Sequence, residues 1–291
     1  MDLKKSKFII FIILSFAIHC LASYFSVGFY SQDEHFQILS PVEFLLGIND
    51  NLFEEIWEFS EEYKIRPWFQ SYIYFYIIKL LQFLSIENPF IWTFFIKIIF
   101  SLLSLVTLIL FYLNFKNRLF LDNNFNRFLI LLFSFYPFFH SRTSSENLGM
   151  SFFIIGILFF DFLIQLKNYK KYFYYEILAG IFFGLAIITR YQILIFVLGV
   201  YLWVLIFSLS YNNIKSLFII GLNIILVLIF GLVFDTYGYQ KINITYYNYF
   251  YANFISGMLD FFGKEPWWYY FIEIPKSFFP PIGLLFLISF I

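Results

Sequence analysis

Two adjacent carboxylates and three separate cations are the side chains of this sequence that best suit chemistry at a membrane. Asp33 and Glu34 follow the first long apolar run, whereas Lys97, Arg142 and Arg190 lie near the edges of later ones. Ionisable groups in or beside a membrane are costly, so they are functional candidates by default. A carboxylate accepts a proton from a hydroxyl group, and Lys and Arg side chains hold phosphate oxygens.

This pairing suits transfer of a sugar from a lipid phosphate, because the acceptor hydroxyl must lose its proton and the leaving phosphate must be stabilised. A positioned base contributes about 10²–10⁴-fold to such a rate, and fixed cations contribute several kcal/mol more, roughly. One carboxylate with several cations favours direct displacement with inversion, since a retaining enzyme needs two carboxylates about 5–5.5 Å apart. Adjacent side chains usually diverge, so we expect one base and favour Asp33 over Glu34.

The same residues also have structural explanations. Asp33 and Glu34 suit the capping of a surface helix, and Lys97, Arg142 and Arg190 suit the ends of membrane spans, with their charges directed to the interface. For each residue alone, the two explanations are equally consistent with the sequence. Their predicted location on one side of the membrane favours the functional explanation for the group.

The composition indicates an all-α polytopic membrane protein. Hydrophobic residues make up 61% of the chain and charged residues 13%, whereas soluble domains are nearer one half and one quarter, roughly. The net charge of zero gives no indication of a nucleic-acid partner. The single cysteine, Cys20, cannot form an intrachain disulfide, and the chain has three histidines without a His/Cys cluster. We therefore predict no metal site and no cofactor.

The distribution of basic residues predicts the topology. Lys4, Lys5 and Lys7 place the N-terminus in the cytoplasm, and the run from Phe8 to Phe29 is interpreted as a retained signal anchor. Apolar runs predict about eight crossings by length, the last of them beginning at Phe278. Large loops over residues of about 30–88 and 235–276 then lie on the non-cytoplasmic side.

Within the first of these loops, the sequence predicts a surface helix from about Pro41 to Glu62. The stretch Pro67–Ser85 is apolar but rich in Tyr and Trp, which suits a helix that lies at the interface or dips into it. We expect one transmembrane domain over residues 1–291. The chain ends within an apolar run at Ile291, which indicates a C-terminally truncated or shortened member of a longer protein.

Further polar and aromatic residues on the same predicted side are candidates for binding substrate. His35 suits a sugar or phosphate contact, and the Trp267–Tyr270 run suits both an interfacial belt and stacking on sugar rings. The predicted substrate-binding residues are His35, Gln37, Arg66, Gln192, Asp235, Trp267 and Trp268.

Six segments, in order along the chain, resemble motifs of the α-mannosyltransferases of glycosyltransferase family 22. Gln32-Asp33-Glu34-His35-Phe36-Gln37 resembles the family's H-P-D-E-x-x-Q loop after the first span. The other segments are Trp57-Glu58 with Lys64-Ile65-Arg66-Pro67-Trp68, then Ser141–Asn147, Thr189–Gln192, Asp235–Tyr239 and Asn248–Trp268. Each segment alone is a weak signal, but six in family order are fairly specific.

The resemblance implies a GT-C-type helical bundle and a dolichyl-phosphate-mannose donor, as used in GPI-anchor and N-glycan assembly. It implies an active site at the lumenal or external face, with the catalytic carboxylate at Asp33 and Glu34 beside it. The sequence departs from the family pattern at Gln32, at Arg66-Pro67-Trp68 and at Lys264-Glu265-Pro266. These departures leave the acceptor and the identity of the sugar open.

We therefore expect an inverting hexosyltransferase that moves mannose from a polyprenyl or dolichyl phosphate to a glycolipid or lipid-linked glycan. Its partners would be that donor, that acceptor and membrane lipids. The membrane would be that of the endoplasmic reticulum in a eukaryote and the cytoplasmic membrane in a bacterium. A flippase or transporter for a lipid-linked sugar, and an inactive scaffold of a glycan-assembly complex, are the alternatives.

Overall fold

The computed structural model describes residues 3–29, 31–119, 123–132, 135–165, 169–208, 210–261 and 263–277. Within these ranges the chain forms helices and turns and no strand. It divides into two compact units, Met1–Tyr246 and Tyr247–Ile291.

The first unit contains the long helices. Its elements are α1 (Leu3–Phe25), α2 (Gln32–Glu34), a π-helical turn (His35–Leu39), α3 (Ser40–Leu45), α4 (Leu52–Glu55), α5 (Phe69–Phe83), α6 (Pro89–Phe115), α7 (Asn124–Leu132), α8 (Phe135–His140), α9 (Ser145–Gln165), α10 (Tyr169–Thr189), a 3₁₀ turn (Tyr191–Ile193), α11 (Leu194–Phe207) and α12 (Tyr211–Gly238).

Four helices of the described chain are long and apolar enough to cross a membrane. These segments are Lys7–Phe25, Pro89–Phe115, Ser145–Leu163 and Asn213–Gly238, and at most 39% of the residues in each are buried within the protein. The rest of each helix surface therefore suits contact with lipid. The apolar segments Phe173–Thr189 and Tyr191–Phe207 are shorter. The chain is an all-α polytopic membrane protein; the crossing predicted from Phe278 onward lies outside the described residues.

Close packing of α9, α10 and α12 forms the largest apolar core of this unit. A methyl group added at Gly180 would lie 2.6 Å from the Ile220 carbonyl oxygen, and one added at Gly184 would lie 2.6 Å from Val227 Cβ. Small residues at these points let the two helix backbones approach closely, as is common between helices in lipid.

The segment after α1 is broken into short helices, so the prediction of one surface helix over Pro41–Glu62 is wrong. α3 ends at Leu45, and Gly47 follows with a φ of +72°. This left-handed conformation ends a helix and is favourable for glycine. The chain resumes helical geometry only in the single turn of α4.

Helix α5 lies over Pro67–Ser85, the stretch that the sequence left ambiguous. It has 15 residues, fewer than the roughly 20 that a membrane span requires. Tyr74 and Ile78 are buried in a second core cluster with Phe100 of α6. Helix α5 is therefore part of the packed interior of the first unit.

The second unit is small and rich in exposed aromatic side chains. α13 (Thr245–Phe250) begins just before it, and a π-helical turn (Tyr251–Ile255), α14 (Met258–Phe261) and α15 (Tyr269–Ser277) follow. Trp267 and Trp268 lie in the turn before α15.

Candidate active site

A cavity of about 230 Å³ lies between the segment that follows α1 and the turn that precedes α9. We call it the Asp33 cavity. Its lining residues are Ser31, Asp33, Glu34, Gln37, Ile38, Phe139, Arg142, Ser144, Ser145 and Glu146. Acidic and basic side chains from distant parts of the sequence therefore share one concave surface.

Asp33 lies in the single turn of α2, at the start of this wall. The Ser31 hydroxyl accepts a hydrogen bond from the Asp33 backbone N–H at 3.3 Å, which caps the turn. The Asp33 side chain is exposed, although its neighbour Glu34 is buried. The Asp33 carboxylate is thus accessible to a ligand in the cavity.

Glu34 has a different environment and is only 2% exposed. Its Oε2 accepts hydrogen bonds from the Thr143 backbone N–H at 3.2 Å and from the Thr143 hydroxyl at 3.1 Å. Since charge-assisted hydrogen bonds are among the stronger ones, Glu34 holds the turn before α9 against α2. The two adjacent carboxylates diverge, as their positions on a helical turn require.

Arg142 lies in the turn that Glu34 holds. Its guanidinium stacks on the Phe138 ring, 4.4 Å from the ring centroid, an arrangement that fixes its position on the cavity wall. The Asn147 side-chain amide donates to the His140 carbonyl at 2.9 Å, and His140 Nδ1 lies 3.0 Å from His19 Nε2 of α1. The first bond closes the turn, and the histidine contact connects it to α1.

Lys97 of α6 is 3% exposed and lies beside this wall. Its ammonium donates to the carbonyl oxygens of Ser26 and Gly28, the latter at 3.2 Å. It therefore fixes the segment between α1 and α2. Lys97 also interacts electrostatically with Arg142 and Glu34, so its charge contributes to the potential of the Asp33 cavity.

Arg190, directly after α10, contacts the part of the wall that α9 forms. It donates to the Ser145 hydroxyl at 2.9 Å and forms an ion pair with Glu146 Oε1 at 2.8 Å. Both partners line the cavity. The predicted cation is therefore connected to the cavity through two residues of α9.

Two more predicted residues, Gln37 and Arg66, converge on Glu58. The Gln37 amide donates to Glu58 Oε1 at 3.4 Å, and Arg66 Nη2 forms an ion pair with the same oxygen at 2.5 Å. Because Gln37 lines the cavity, Glu58 and Arg66 form a second layer behind it.

Asp235 belongs to a buried cluster around Trp68, which we call the Trp68 corner. Its members are Trp68, Asp235, Tyr239, Leu52, Ile56 and Phe59. Asp235 is 3% exposed, and its Oδ1 accepts the Trp68 backbone N–H at 2.9 Å. Tyr191 and Thr245 side chains also hydrogen-bond to this carboxylate. These donors satisfy the hydrogen-bonding capacity of the Asp235 carboxylate. Asp235 does not line the Asp33 cavity.

Tyr239 connects the Trp68 corner to Arg66. Its hydroxyl donates to the Arg66 carbonyl at 2.9 Å and accepts the Arg66 backbone N–H at 3.1 Å. Burial, reinforced by the Asp235 carboxylate, raises the pKa of Tyr239 well above its ordinary value. The hydroxyl therefore stays protonated at neutral pH and serves as a donor. A continuous polar chain runs from the cavity through Gln37, Glu58, Arg66 and Tyr239 to the corner.

This arrangement lies within a sequence that matches one known family. Residues 9–291 match the family model of the Alg9-like mannosyltransferases. The chain belongs to this family. No curated protein and no solved structure gives a significant match. The match confirms the resemblance to this family that the six segments indicated. Together with the four long apolar helices, it identifies the protein as an integral membrane glycosyltransferase.

The remaining predicted site residues of this mannosyltransferase-family chain lie apart from the cavity lining or in the second unit. The His35 ring stacks on Phe29 at 5.3 Å between centroids. Gln192 is half-buried in the 3₁₀ turn after Arg190. Trp267 and Trp268 belong to the second unit, where they are 83% and 47% exposed, which leaves their faces available for lipid or sugar.

The residues of the turn after Arg142, Thr143 to Glu146, were not among the predicted site residues, although the structure brings them to the site. The signal that identifies them is the short polar run after Arg142, which lies inside one of the six family-like segments. Within the part of the chain that the structure describes, no group of three or more His, Cys, Asp or Glu side chains is placed to hold a metal ion.

Proposed function

We propose that this chain is an inverting mannosyltransferase that moves mannose from a polyprenyl-phosphate donor to a hydroxyl group of a glycolipid or lipid-linked glycan. The observation that carries the proposal is the Asp33 cavity. An exposed carboxylate and a positioned guanidinium line it together, whereas the adjacent Glu34 carboxylate is already engaged by Thr143.

The chemistry assigns one role to each group. The acceptor oxygen forms a bond to C1 of mannose as the bond between C1 and the phosphate oxygen breaks. Asp33 takes the acceptor's hydroxyl proton, and the polyprenyl phosphate leaves with the bonding electron pair. A base aligned in this way contributes about 10²–10⁴-fold, and attack opposite the leaving group inverts the anomeric centre.

The charges around the cavity support binding of the phosphate. Lys97 and Arg142 are formally positive, and Asp33 and Glu34 are formally negative, so these four groups balance; the attraction for phosphate comes from the position of the Arg142 guanidinium on the cavity wall and not from a net charge. Arg190 and Glu146 neutralise each other in their ion pair. Arg142 is the principal ligand proposed for the donor phosphate, because a planar guanidinium matches two phosphate oxygens. Lys97 adds long-range attraction while it holds the segment that leads to Asp33.

The distribution of basic residues supports a location of this chemistry on the non-cytoplasmic face. Lys4, Lys5 and Lys7 precede the first span, and basic residues in short segments favour the cytoplasm. The cavity begins a few residues after the C-terminal end of that span. The donor phosphate would therefore lie at the outer interface, with its polyprenyl chain in the lipid.

The test is mannosyl transfer by purified protein in liposomes that contain polyprenyl-phosphate mannose and a panel of mannosylated glycolipid acceptors. Wild type, Asp33→Asn and Asp50→Asn are compared. Asp50 is a matched control, because it is an exposed aspartate of the same polar segment that does not line the cavity. We expect an α-linked or β-linked product whose anomeric configuration is opposite to that of the donor.

Asp33→Asn should lower turnover by about 10²–10⁴-fold, and Asp50→Asn should leave it unchanged. Retention of the donor configuration would refute the direct displacement. A folded wild type that transfers no sugar from any lipid-phosphate donor would instead favour the flippase or scaffold explanation.

A further inference from the structure

Glu146 is a third carboxylate on the wall of the Asp33 cavity, besides Asp33 and Glu34, and the proposed reaction assigns it no role. It lies in the first turn of α9 and its side chain is 52% exposed. Asp33 approaches from α2 and Glu146 from α9, so the two carboxylates line different parts of the same cavity.

Glu146 is held in one orientation before any ligand binds. Arg190 Nη2 pairs with its Oε1 at 2.8 Å, and Arg190 Nη1 donates to the neighbouring Ser145 hydroxyl at 2.9 Å. A negative side chain in the first turn of a 21-residue helix is also stabilised by the helix dipole. A ligand that binds Glu146 therefore pays little additional cost to order this side chain.

A carboxylate has about four lone-pair sites, so the contact with Arg190 leaves acceptor sites for a ligand. Its negative charge makes it unsuitable as a phosphate ligand. Its acceptor sites match hydroxyl groups, and two neighbouring hydroxyls of a sugar can donate to the two oxygens of one carboxylate. The chemistry of Glu146 therefore points to the sugar part of a substrate.

The size of the cavity indicates which sugar this is. Its volume of about 230 Å³ lies below the roughly 300–1,000 Å³ of sites that enclose drug-sized ligands. Such a space holds about one hexose ring. Arg142, the proposed phosphate ligand, lines the same cavity as Glu146, so the sugar attached to that phosphate is the one that lies within reach of Glu146.

We infer that Glu146 recognises the donor sugar by accepting hydrogen bonds from hydroxyl groups of its mannose ring, and that Arg190 is the positioning residue that orients Glu146. The inference rests on the proposed function, because it takes the donor to be a polyprenyl-phosphate mannose. It assigns specificity to the α9 side of the cavity and proton transfer to the α2 side.

Binding separates this inference from catalysis. Purified protein in detergent is titrated with short-chain polyprenyl-phosphate mannose and, separately, with the same polyprenyl phosphate lacking the sugar. The variants are Glu146→Gln, Glu146→Ala and Arg190→Gln, and Glu54→Gln is the matched control, an exposed glutamate outside the cavity lining. Thermal midpoints are measured for each variant, so that affinity is compared only among folded proteins.

Glu146→Ala should weaken binding of the mannosylated carrier by roughly 10- to 100-fold, the range for hydrogen bonds to a charged group. Binding of the sugar-free carrier should stay the same or tighten, since a negative charge beside the phosphate is removed. Glu146→Gln and Arg190→Gln should show the same selectivity with a smaller loss, and Glu54→Gln should show none. In transfer assays, the loss should fall mainly on the KM for the donor.

Equal weakening of both carriers, or no weakening of either in folded Glu146→Ala, would overturn the assignment of Glu146 while leaving the proposed function intact. A folded wild type that binds neither carrier would overturn the proposed function and this inference together.

Discussion

Asp33 and Asp235 are two membrane-edge aspartates with opposite environments. Asp33 follows the first long helix, and Asp235 lies on the last turn of α12. Asp33 is exposed and lines a cavity, whereas Asp235 is 3% exposed and bonded to the Trp68 backbone. In the sequence both are aspartates beside an apolar run, and both occur in segments that resemble family motifs.

The difference between them lies in their hydrogen-bond partners. A buried carboxylate needs donors that replace water, and the Trp68 corner supplies a backbone N–H and two hydroxyls. Near Asp33, the backbone N–H and the hydroxyl of Thr143 donate to Glu34 instead. The Asp33 side chain therefore remains accessible. We interpret the Trp68 corner as the rigid support of the site and the Asp33 cavity as its reactive part.

The largest stability effect is expected for Asp235→Ala, which removes the acceptor of the Trp68 N–H inside a closed cluster. An orphaned buried donor and a lost bond to a charged group should together cost about 3 kcal/mol. The measurement is the thermal midpoint in detergent, with Asp50→Ala as the exposed control. A midpoint equal to that of the control would show that the corner does not depend on this carboxylate.

A smaller loss, about 2 kcal/mol, is expected for Gly238→Ala, because overpacking a filled site is destabilising. The added methyl carbon would lie 2.1 Å from Trp68 Cδ2, in the ring of a side chain that is fully buried. Gly199→Ala in α11 is the control, since nothing lies within 4 Å of its added methyl group. The control should be neutral or slightly stabilising; equal midpoints for both variants would contradict the close approach.

The smallest effect is expected at the surface, where Glu61 pairs with Lys64 and with Lys241, the latter at 2.9 Å. These cations lower the pKa of Glu61 from 4.5 to about 2. Its contribution is therefore fully present above pH 4.5 and is lost as the pH falls through about 2.

Glu61→Gln should lower the thermal midpoint slightly at pH 7, and the difference from wild type should shrink on acidification and in high salt. Glu54→Gln should show no such pH dependence. A difference that persists unchanged at pH 2 would contradict the role of the ion pairs.

The apolar runs predicted the long helices well, because length and hydropathy determine what can cross a membrane. The run Phe8–Phe29 largely corresponds to α1, Leu3–Phe25. The ends were less predictable. Helix α12 continues through Asp235 to Gly238, whereas the sequence placed Asp235 at the start of a loop. Composition marks the edge of the apolar layer, whereas backbone hydrogen bonding continues beyond it.

The sequence predicted which kinds of residue form the candidate site, but it did not predict how their side chains are arranged in space. That Asp33 and Glu34 point apart follows from the rotation of about 100° per residue in a helix. Which of them is buried depends on Thr143, more than a hundred positions away. The partners of Arg190 on α9 and of Arg66 at Tyr239 are equally long-range contacts, and no local pattern encodes them.

The most direct test of the division between the two aspartates is the same substitution at both, with turnover and thermal midpoint measured for each. Asp33→Asn should lower kcat for mannosyl transfer by about 10²–10⁴-fold at an unchanged midpoint. Asp235→Asn should lower the midpoint while its folded fraction keeps kcat within a few-fold of wild type. Full turnover by Asp33→Asn, or loss of turnover by Asp235→Asn at an unchanged midpoint, would contradict the assignment of catalysis to Asp33 and support to Asp235.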